Sequence, residues 1–399
     1  STMSILFTSK NIGNVKIKNR FIHAPTYEAM ATEKGEVTGE LIDRYRNIAQ
    51  GGAGLIIPGF MYVHPVGKCI EFQTGIHQDE MIPRLTELVK VVHEKGSKIF
   101  FELTHAGRQT YRKTIGQTPI APSTAKKDPL FRVKPKEMTI DEIHEAIHAY
   151  SEAARRAVES GADGVHISAA AGYLGHEFLS PFFNQRTDEW GGSDENRFRF
   201  LKEIILASRR KMPKDTALTV KLNVNDYTPK EGVTPDLAKK YALWLVETGI
   251  DGLEIASGTI SYSSMNMWLG DVPVSDYVNM MPSYMKPLAW LVIRGWVGKY
   301  DLIEGWNLEA AKMIKAVLGE TPLFLVGGLR RRDHMEEIIQ KGYSDFISLC
   351  RPLIREPDLV NKFQKGEADV SSCNSCNKCI GAVLNNLPIR CYRLQTSSP

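Results

Sequence analysis

Short apolar runs of strand length recur along the chain between stretches of helical periodicity, the signature of βαβ units and a parallel sheet. Eight such pairs can be counted, with candidate strands at Phe21–Pro25, Leu55–Gly59, Lys98–Thr104, Gly164–Ser168, Ala217–Asn223, Gly252–Ala256, Leu323–Val326 and Phe346–Leu349. Eight is the number that closes a (β/α)8 barrel, so the fold class expected is α/β, a TIM barrel with a short C-terminal Cys-rich extension. A weak internal repeat supports it: Gly161 and Gly249 each end a helical stretch just before a strand, where glycine supplies the left-handed turn. Three stretches without clear periodicity, 105–138, 172–193 and 258–306, follow strands, where a barrel carries its functional loops. The barrel is expected over residues 1–366 and the Cys-rich tail over 367–399.

Alternation within the strands turns unusual residues inward. If Val220 and Leu222 face the helices, then Thr219, Lys221 and Asn223 face the barrel interior. By the same count Glu102 and Thr104 share one face, His166 and Ser168 another, and Glu254 joins them. Charged groups inside a barrel cost several kcal/mol unless paired or facing a ligand. Two readings are open: an internal ion-pair network of Glu102, His166, Lys221 and Glu254, or a ligand floor.

Composition then removes whole classes of function. The 50 basic and 46 acidic residues are spread without blocks of one sign, so a nucleic-acid partner is not expected. Apolar runs such as Leu55–Pro58 and Pro322–Val326 fall far short of the roughly 18 residues of a membrane span. No signal-peptide pattern opens the chain, and six cysteines, four of them between Cys373 and Cys391, read as metal ligation in a reducing compartment. A cytoplasmic protein is expected.

The run Gly172-Tyr173-Leu174-Gly175-His176-Glu177-Phe178-Leu179-Ser180-Pro181, continuing to Trp190-Gly191-Gly192-Ser193 and Glu195-Asn196-Arg197, resembles the Old Yellow Enzyme family (NADH:flavin oxidoreductase). Asn19-Arg20-Phe21, Ala24-Pro25, His105-Ala106-Gly107-Arg108, Gly327-Gly328 and Arg351-Pro352 extend the resemblance over nearly the whole chain. It implies FMN held at the C-terminal face of the barrel, with NAD(P)H as electron donor. Gly327 and Gly328 would admit the backbone to the phosphate, and Arg351 would add a bidentate contact, with Cys350 presenting its backbone N–H. Lys221 matches the basic residue beside flavin N1 and O2. Ala24, Pro25, Thr26 and Tyr27 match the stretch along the ring, and Tyr173 matches the proton donor.

Departures from the family pattern are part of the reading. Either Gly59 or Phe60 occupies the position against the ring, and Glu102 stands where the family has Gln. A carboxylate there could accept from flavin N3–H or pair with Lys221. The family's oxyanion pair, His with His or Asn, falls on Ser168 and Ala171, so another donor, Tyr27 or His176, is expected to hold a substrate carbonyl.

Cys373, Cys376, Cys379 and Cys391 give CxxCxxC plus a fourth thiol. Such spacing suits one metal centre, an iron-sulfur cluster or zinc. Its place after Arg351-Pro352 resembles the cluster segment of the 2,4-dienoyl-CoA reductase and 2-enoate reductase branch, which implies a [4Fe-4S] cluster, with zinc and a metal-free remnant as alternatives. That branch continues into nucleotide-binding domains, which are expected to be lacking here; electrons then come from NAD(P)H over the flavin or from a redox partner protein. Cys69 reads as an ordinary loop residue. The resemblance implies an ene-reductase acting on a small-molecule alkene, an α,β-unsaturated carbonyl compound. A flavin oxidase, dehydrogenase or demethylase, and a non-catalytic flavin-binding scaffold, are the alternatives. The aromatic and Met-rich insertion 258–306 would wall a substrate pocket or form a homo-oligomer contact.

Overall fold

The computed structural model describes residues 3–124 and 127–394; residues 1, 2, 125, 126 and 395–399, the last stretch being the end of the 367–399 tail, lie outside the described residues. Eight parallel strands form a ring: β1 (Phe21–His23), β2 (Leu55–Ile56), β3 (Lys98–Thr104), β4 (Gly164–Ala169), β5 (Ala217–Asn225), β6 (Gly252–Ser257), β7 (Leu323–Val326) and β8 (Phe346–Leu349). Each pairs with its neighbour in sequence, and β8 returns to β1 with Ile347 opposite Phe21. The expected barrel is therefore closed. β1 and β2 are shorter than the apolar runs suggest, because Pro25 and Pro58 follow within two residues and cannot donate to a ladder.

Helices α1 (Gly39–Gln50), α2 (Ile82–Glu94), α3 (Ile140–Glu159), α4 (Asp194–Arg209), α5 (Pro235–Thr248), α6 (Leu308–Leu318), α7 (Arg332–Gln340) and α8 (Leu359–Lys365) alternate with the strands. Their starts are chemically marked. Thr38, Thr139, Ser193 and Thr234 each accept a backbone N–H of the first turn, and Thr139 completes a capping box with Glu142. Gly161 (φ 89°) and Gly249 (φ 93°) are left-handed, as the internal repeat requires. The outward strand residues Val220 and Leu222 join the main core beneath these helices.

The barrel interior has two layers. The lower one is apolar: Ile22, Leu55, Phe100, Ala217, Phe324 and Phe346 meet Ile12, Val15 and Ile17 of a hairpin (Lys10–Ile12 with Val15–Ile17) that plugs the bottom. Gly164 and Gly252 make room for the rings; a Cβ on Gly252 would lie 2.6 Å from Phe324 Cζ. Two residues further up, the same strands turn in Glu102, His166, Thr219, Glu254 and Ser348, and Lys221 follows two above Thr219, so the inward polar set read from the sequence is in place. Among the described residues no helix is long and apolar enough to cross a membrane.

Candidate active site

At the C-terminal ends of the strands a cavity of about 740 Å³ opens, within the roughly 300–1,000 Å³ of ligand sites. The structure brings to its wall Ala24, Pro25, Thr26, Tyr27, Phe60, Glu102, Tyr173, Lys221, Gly327, Gly328, Cys350 and Arg351. Gly59 is not there, which corrects half of the paired reading. Its N–H donates to Glu28 Oε2 at 2.9 Å and Tyr45 Oη at 3.2 Å, behind the wall. A side chain at 59 would strike the Thr26 carbonyl at 2.3 Å, so the glycine serves close backbone approach and Phe60 faces the cavity.

The floor is the polar layer. His166 Nδ1 meets Thr219 Oγ1 at 2.7 Å, and its Nε2 stands 3.8 Å from Glu254 and 4.0 Å from Glu102. Lys221 Nζ pairs with Glu254 at 3.7 Å. Burial pushes both carboxyl pKa values up; at Glu102 it prevails, while at Glu254 His166 and Lys221 outweigh it and the pKa falls. Lys221 sits above its ordinary value, the two glutamates overcoming desolvation. Glu102 Oε2, Glu254 Oε1 and His166 Nε2 nonetheless have no hydrogen-bond partner among the described residues. The ion-pair reading is therefore incomplete, and Glu102 and Lys221 point what is left into the cavity.

Tyr173 stands on a tight turn after β4, where Ala171 (φ 64°) and Gly172 (φ 89°) are both left-handed. Its ring tilts over Phe60 with centroids 5.1 Å apart, and its hydroxyl is near the Cys69 thiol. Burial holds the phenol well above its usual pKa and pushes the Cys69 thiol up to about 12, so both are protonated. Cys69, read as an ordinary loop residue, is on the cavity wall. A lone cysteine far from any motif gives no signal of that.

Neither expected replacement for the oxyanion pair is free. His176 is fully buried away from the cavity, its Nδ1 accepting the Gly172 N–H at 2.7 Å and its Nε2 meeting Asp226 at 2.6 Å. Tyr27 lines the cavity, but its hydroxyl donates to Asn386 at 3.1 Å and accepts from Phe72 N–H at 3.2 Å. Ala171 is on the wall and Ser168 is behind it, opposite Lys221 in the ladder.

The insertion divides. Met267, Trp268, Met280 and Trp306 line the cavity, whereas Met265 and Tyr277 pack with Ile293 in a separate cluster. The tail folds back onto it: its helix Lys378–Leu384 presents Ile380, Val383 and Leu384 to the cavity, and Asn385 Nδ2 donates to the Asp276 carbonyl. The four thiols of Cys373, Cys376, Cys379 and Cys391 line one small pocket with Arg351 and Arg355. Burial pushes Cys379 up to about 12, while Cys391, approached by backbone N–H groups and by Arg355 Nη1 at 3.6 Å, lies below its ordinary value despite burial. Among the described residues no three His, Cys, Asp or Glu side chains are set to hold a metal ion, so the thiols share a pocket without closing on a point.

These features fit FMN. A buried carboxylate oxygen and a buried guanidinium Nε, on Glu102 and Arg330, lack partners on the cavity wall. Gly327 (φ 137°) and Gly328 (φ 65°) form a bare turn against Trp306, where a Cβ on Gly328 would lie 2.7 Å from the indole. Arg330 is not legible in the sequence as a site residue: it follows the glycine pair in a run of three arginines, of which Arg331 is exposed and Arg332 half-buried.

The sequence signature of the NADH:flavin oxidoreductase / NADH oxidase family matches residues 5–271. A Thermoanaerobacter brockii NADH oxidase is 34% identical over 97% of this chain and 55% of its own length. A Bacillus subtilis NADPH dehydrogenase is 34% identical over 88% of this chain and 92% of its own. Among solved structures, a 2-naphthoyl-CoA reductase in complex with 2-naphthoyl-CoA superimposes with TM-score 0.84 at 26% identity, over 97% of this chain and 56% of that one. The chain thus spans about half the length of the first and third of these. It belongs to the NADH:flavin oxidoreductase / NADH oxidase family.

Proposed function

We propose that this member of the NADH:flavin oxidoreductase family is an ene-reductase that saturates the activated C=C bond of an α,β-unsaturated carbonyl compound. One observation carries the reading: the cavity holds a half-buried ammonium, Lys221, on its floor and a protonated phenol, Tyr173, on its wall. Bound FMN would supply the hydride chemistry that links NAD(P)H to the alkene. Lys221 would hold a fixed positive charge at the pyrimidine edge, where negative charge gathers on reduction, with Glu254 keeping the ammonium in place. Glu102, on the cavity wall, would accept an N–H there. The 24–27 stretch and Phe60 would bound the ring, and Gly327, Gly328, the Cys350 N–H and Arg351 would receive the phosphate.

Tyr173 Oη–H would then protonate the α-carbon. Among the described residues no imidazole lines the wall, so the carbonyl would be held by Tyr173 itself or by water, a looser grip than a pair of imidazoles. The apolar wall from Met267, Trp268, Val383 and Leu384 suits a bulky apolar acyl or aromatic group. The 2-naphthoyl-CoA of the similar reductase complex, an aromatic acyl thioester, is consistent with that shape. In this reading residues 1–366 form the flavin barrel and 367–399 a tail that adds a wall to the cavity. Cys373, Cys376, Cys379 and Cys391 are the residues that would hold a [4Fe-4S] cluster, with zinc and a metal-free tail as the alternatives; because among the described residues no three of these thiols are set around one point, no step is assigned to a cluster.

Rapid-mixing kinetics of the two half-reactions test the proposal. Tyr173→Phe keeps the ring and removes the proton, so alkene reduction should slow by about 10² to 10⁴-fold while flavin reduction by NAD(P)H holds. Equal alkene-reduction rates would assign the proton to another donor, and no turnover of any enone by the wild type would remove the ene-reductase reading.

A further inference from the structure

The insertion carries an apolar face that no other described residue covers. Its helix Lys286–Arg294, with the turns on either side, has two apolar sides. The inner side is Ala289, Ile293 and Trp296, which pack with Met265 and Tyr277. The outer side follows the helical spacing of positions 284, 288, 291 and 292: Tyr284 is 77% exposed, Leu288 and Leu291 are each 63% exposed, and Val292 is 52% exposed. Trp290 and Val297 add to it. A helix that is apolar all round belongs in an interior, and this one has an interior on one side only. Other exposed apolar residues, such as Ile140, Leu243 and Val370, are scattered along the chain and need no partner.

The charge around the face indicates what covers it. From Tyr277 to Tyr300 the chain has three basic residues, Lys286, Arg294 and Lys299, and no acidic one. Arg294 lies over the Trp290 ring at 4.8 Å, and Arg132 Nη2 donates to Tyr284 Oη at 3.3 Å, which brings a fourth cation to the edge. A second copy of this chain would set the same cations against each other, since a twofold contact repeats one patch on both sides. An anionic bilayer surface instead matches both parts of the face. Leu and Val side chains enter the acyl boundary, Tyr and Trp rings sit at headgroup level, and Lys and Arg reach the lipid phosphates. The helix has nine residues, so it would lie in the plane of such a surface and not cross it.

We propose that the outer face of helix Lys286–Arg294, with Tyr284, Trp290 and Val297, docks this protein on an anionic phospholipid surface. The cluster under the helix includes Trp268, Met280 and Leu384 of the cavity wall, so docking brings that wall close to the lipid. Binding of this kind needs no flavin and does not depend on the reaction proposed above.

Flotation of the full chain with phosphatidylcholine vesicles, with and without phosphatidylglycerol, tests the proposal. The wild type should float with the anionic vesicles, bind the neutral ones at least about tenfold more weakly, and be released as salt rises. Leu288→Gln with Leu291→Gln should weaken binding to the anionic vesicles at least about tenfold, since each leucine loses its burial in lipid. Both side chains are exposed, so the unfolding midpoint should hold. Arg294→Gln with Lys299→Gln should reduce the preference for anionic over neutral vesicles, and an unchanged preference would overturn the proposal. So would a wild type that ignores anionic vesicles, or a leucine variant that binds them like wild type. Sedimentation without lipid gives the remaining outcome. A dimer that the leucine variant dissociates assigns the face to a second copy and overturns the membrane docking, whereas a monomer supports it.

Discussion

The lower and upper layers of the barrel interior are built on the same strands, two residues apart, under opposite demands. On β5 the inward series is Ala217, Thr219, Lys221 and Asn223, apolar at the bottom and charged at the top. Below, Phe100, Phe324 and Phe346 interlock over Gly164 and Gly252, and each buried ring is worth about 1.5–3 kcal/mol. Above, three buried polar atoms have no partner among the described residues, at about 1–3 kcal/mol each. The lower layer explains itself by packing. The upper layer is held by loosely spaced charges: His166 Nε2 lies 3.8 Å from Glu254 and 4.0 Å from Glu102.

That contrast can be broken most forcefully from below. Phe324→Ala should cost about 3–5 kcal/mol in stability by leaving a cavity between Phe346 and Gly252, with flavin affinity unchanged in the protein that remains folded. Denaturant unfolding and flavin titration of the same variant would check it. A matching loss of flavin affinity would mean that the layers are not separate.

Acid should spare the lower layer, whose packed residues are all apolar, and act on histidines packed between strands and helices, His23 against Tyr45 and His105 against Tyr150. His23, the last residue of β1, has Nδ1 at 2.9 Å from the Ile57 carbonyl and Nε2 facing Arg44, and burial with that guanidinium holds it neutral with a pKa of about 3. His105, just past β3, is likewise held to about 3 by burial. The unfolded chain binds these protons near pH 6.5, so their contribution is complete above that value and is lost as pH falls toward 3. At pH 5 the loss is about 2 kcal/mol per histidine. Urea midpoints at pH 7 and pH 5 should show it, with a smaller difference in His23→Gln and an undiminished one in Phe324→Ala.

What could be read from the sequence follows the same division. β3, β7 and β8 keep the bounds that their apolar runs suggest, and the inward set of Glu102, His166, Lys221 and Glu254 follows from alternation on strands flanked by clear turns. The period of two is a local property, so it can be read locally. The bottom plug, by contrast, is two three-residue strands whose only role is to cover Phe100 and its neighbours. The Gly59 and Phe60 choice turns on contacts with Glu28 and Tyr45, more than ten residues away. The tail's part in the cavity rests on Asn386 and Val383 reaching a wall built by β1 and the insertion, and CxxCxxC spacing describes a loop without saying where it docks.

A smaller change sharpens the upper layer itself. Lys221→Met leaves Glu254 beside His166 alone, and because the lysine end reaches the cavity the stability loss should be about 1–3 kcal/mol, below that of a fully buried pair. Adding Glu254→Gln should recover most of it. A double variant no more stable than Lys221→Met would show that the ammonium is held for its ligand and not for Glu254.

The smallest effect lies at the boundary. Thr219 is one inward step above Ala217 and one below Lys221, and its hydroxyl meets His166 Nδ1 at 2.7 Å and donates to the Val165 carbonyl at 3.3 Å. Thr219→Val keeps the shape and removes the hydroxyl, so the lower layer gains a methyl that packs and the upper layer loses the one hydrogen bond that fixes the His166 ring. The two tendencies oppose each other. The lost bond is worth about 0.5–1.5 kcal/mol and leaves a buried imidazole nitrogen unpaired, which outweighs the methyl, so a net loss of about 1 kcal/mol is expected. Flavin affinity should not change, because Thr219 is not on the cavity wall. If the variant is instead more stable than wild type, the apolar layer extends up to position 219 and His166 belongs to the packed half of the barrel.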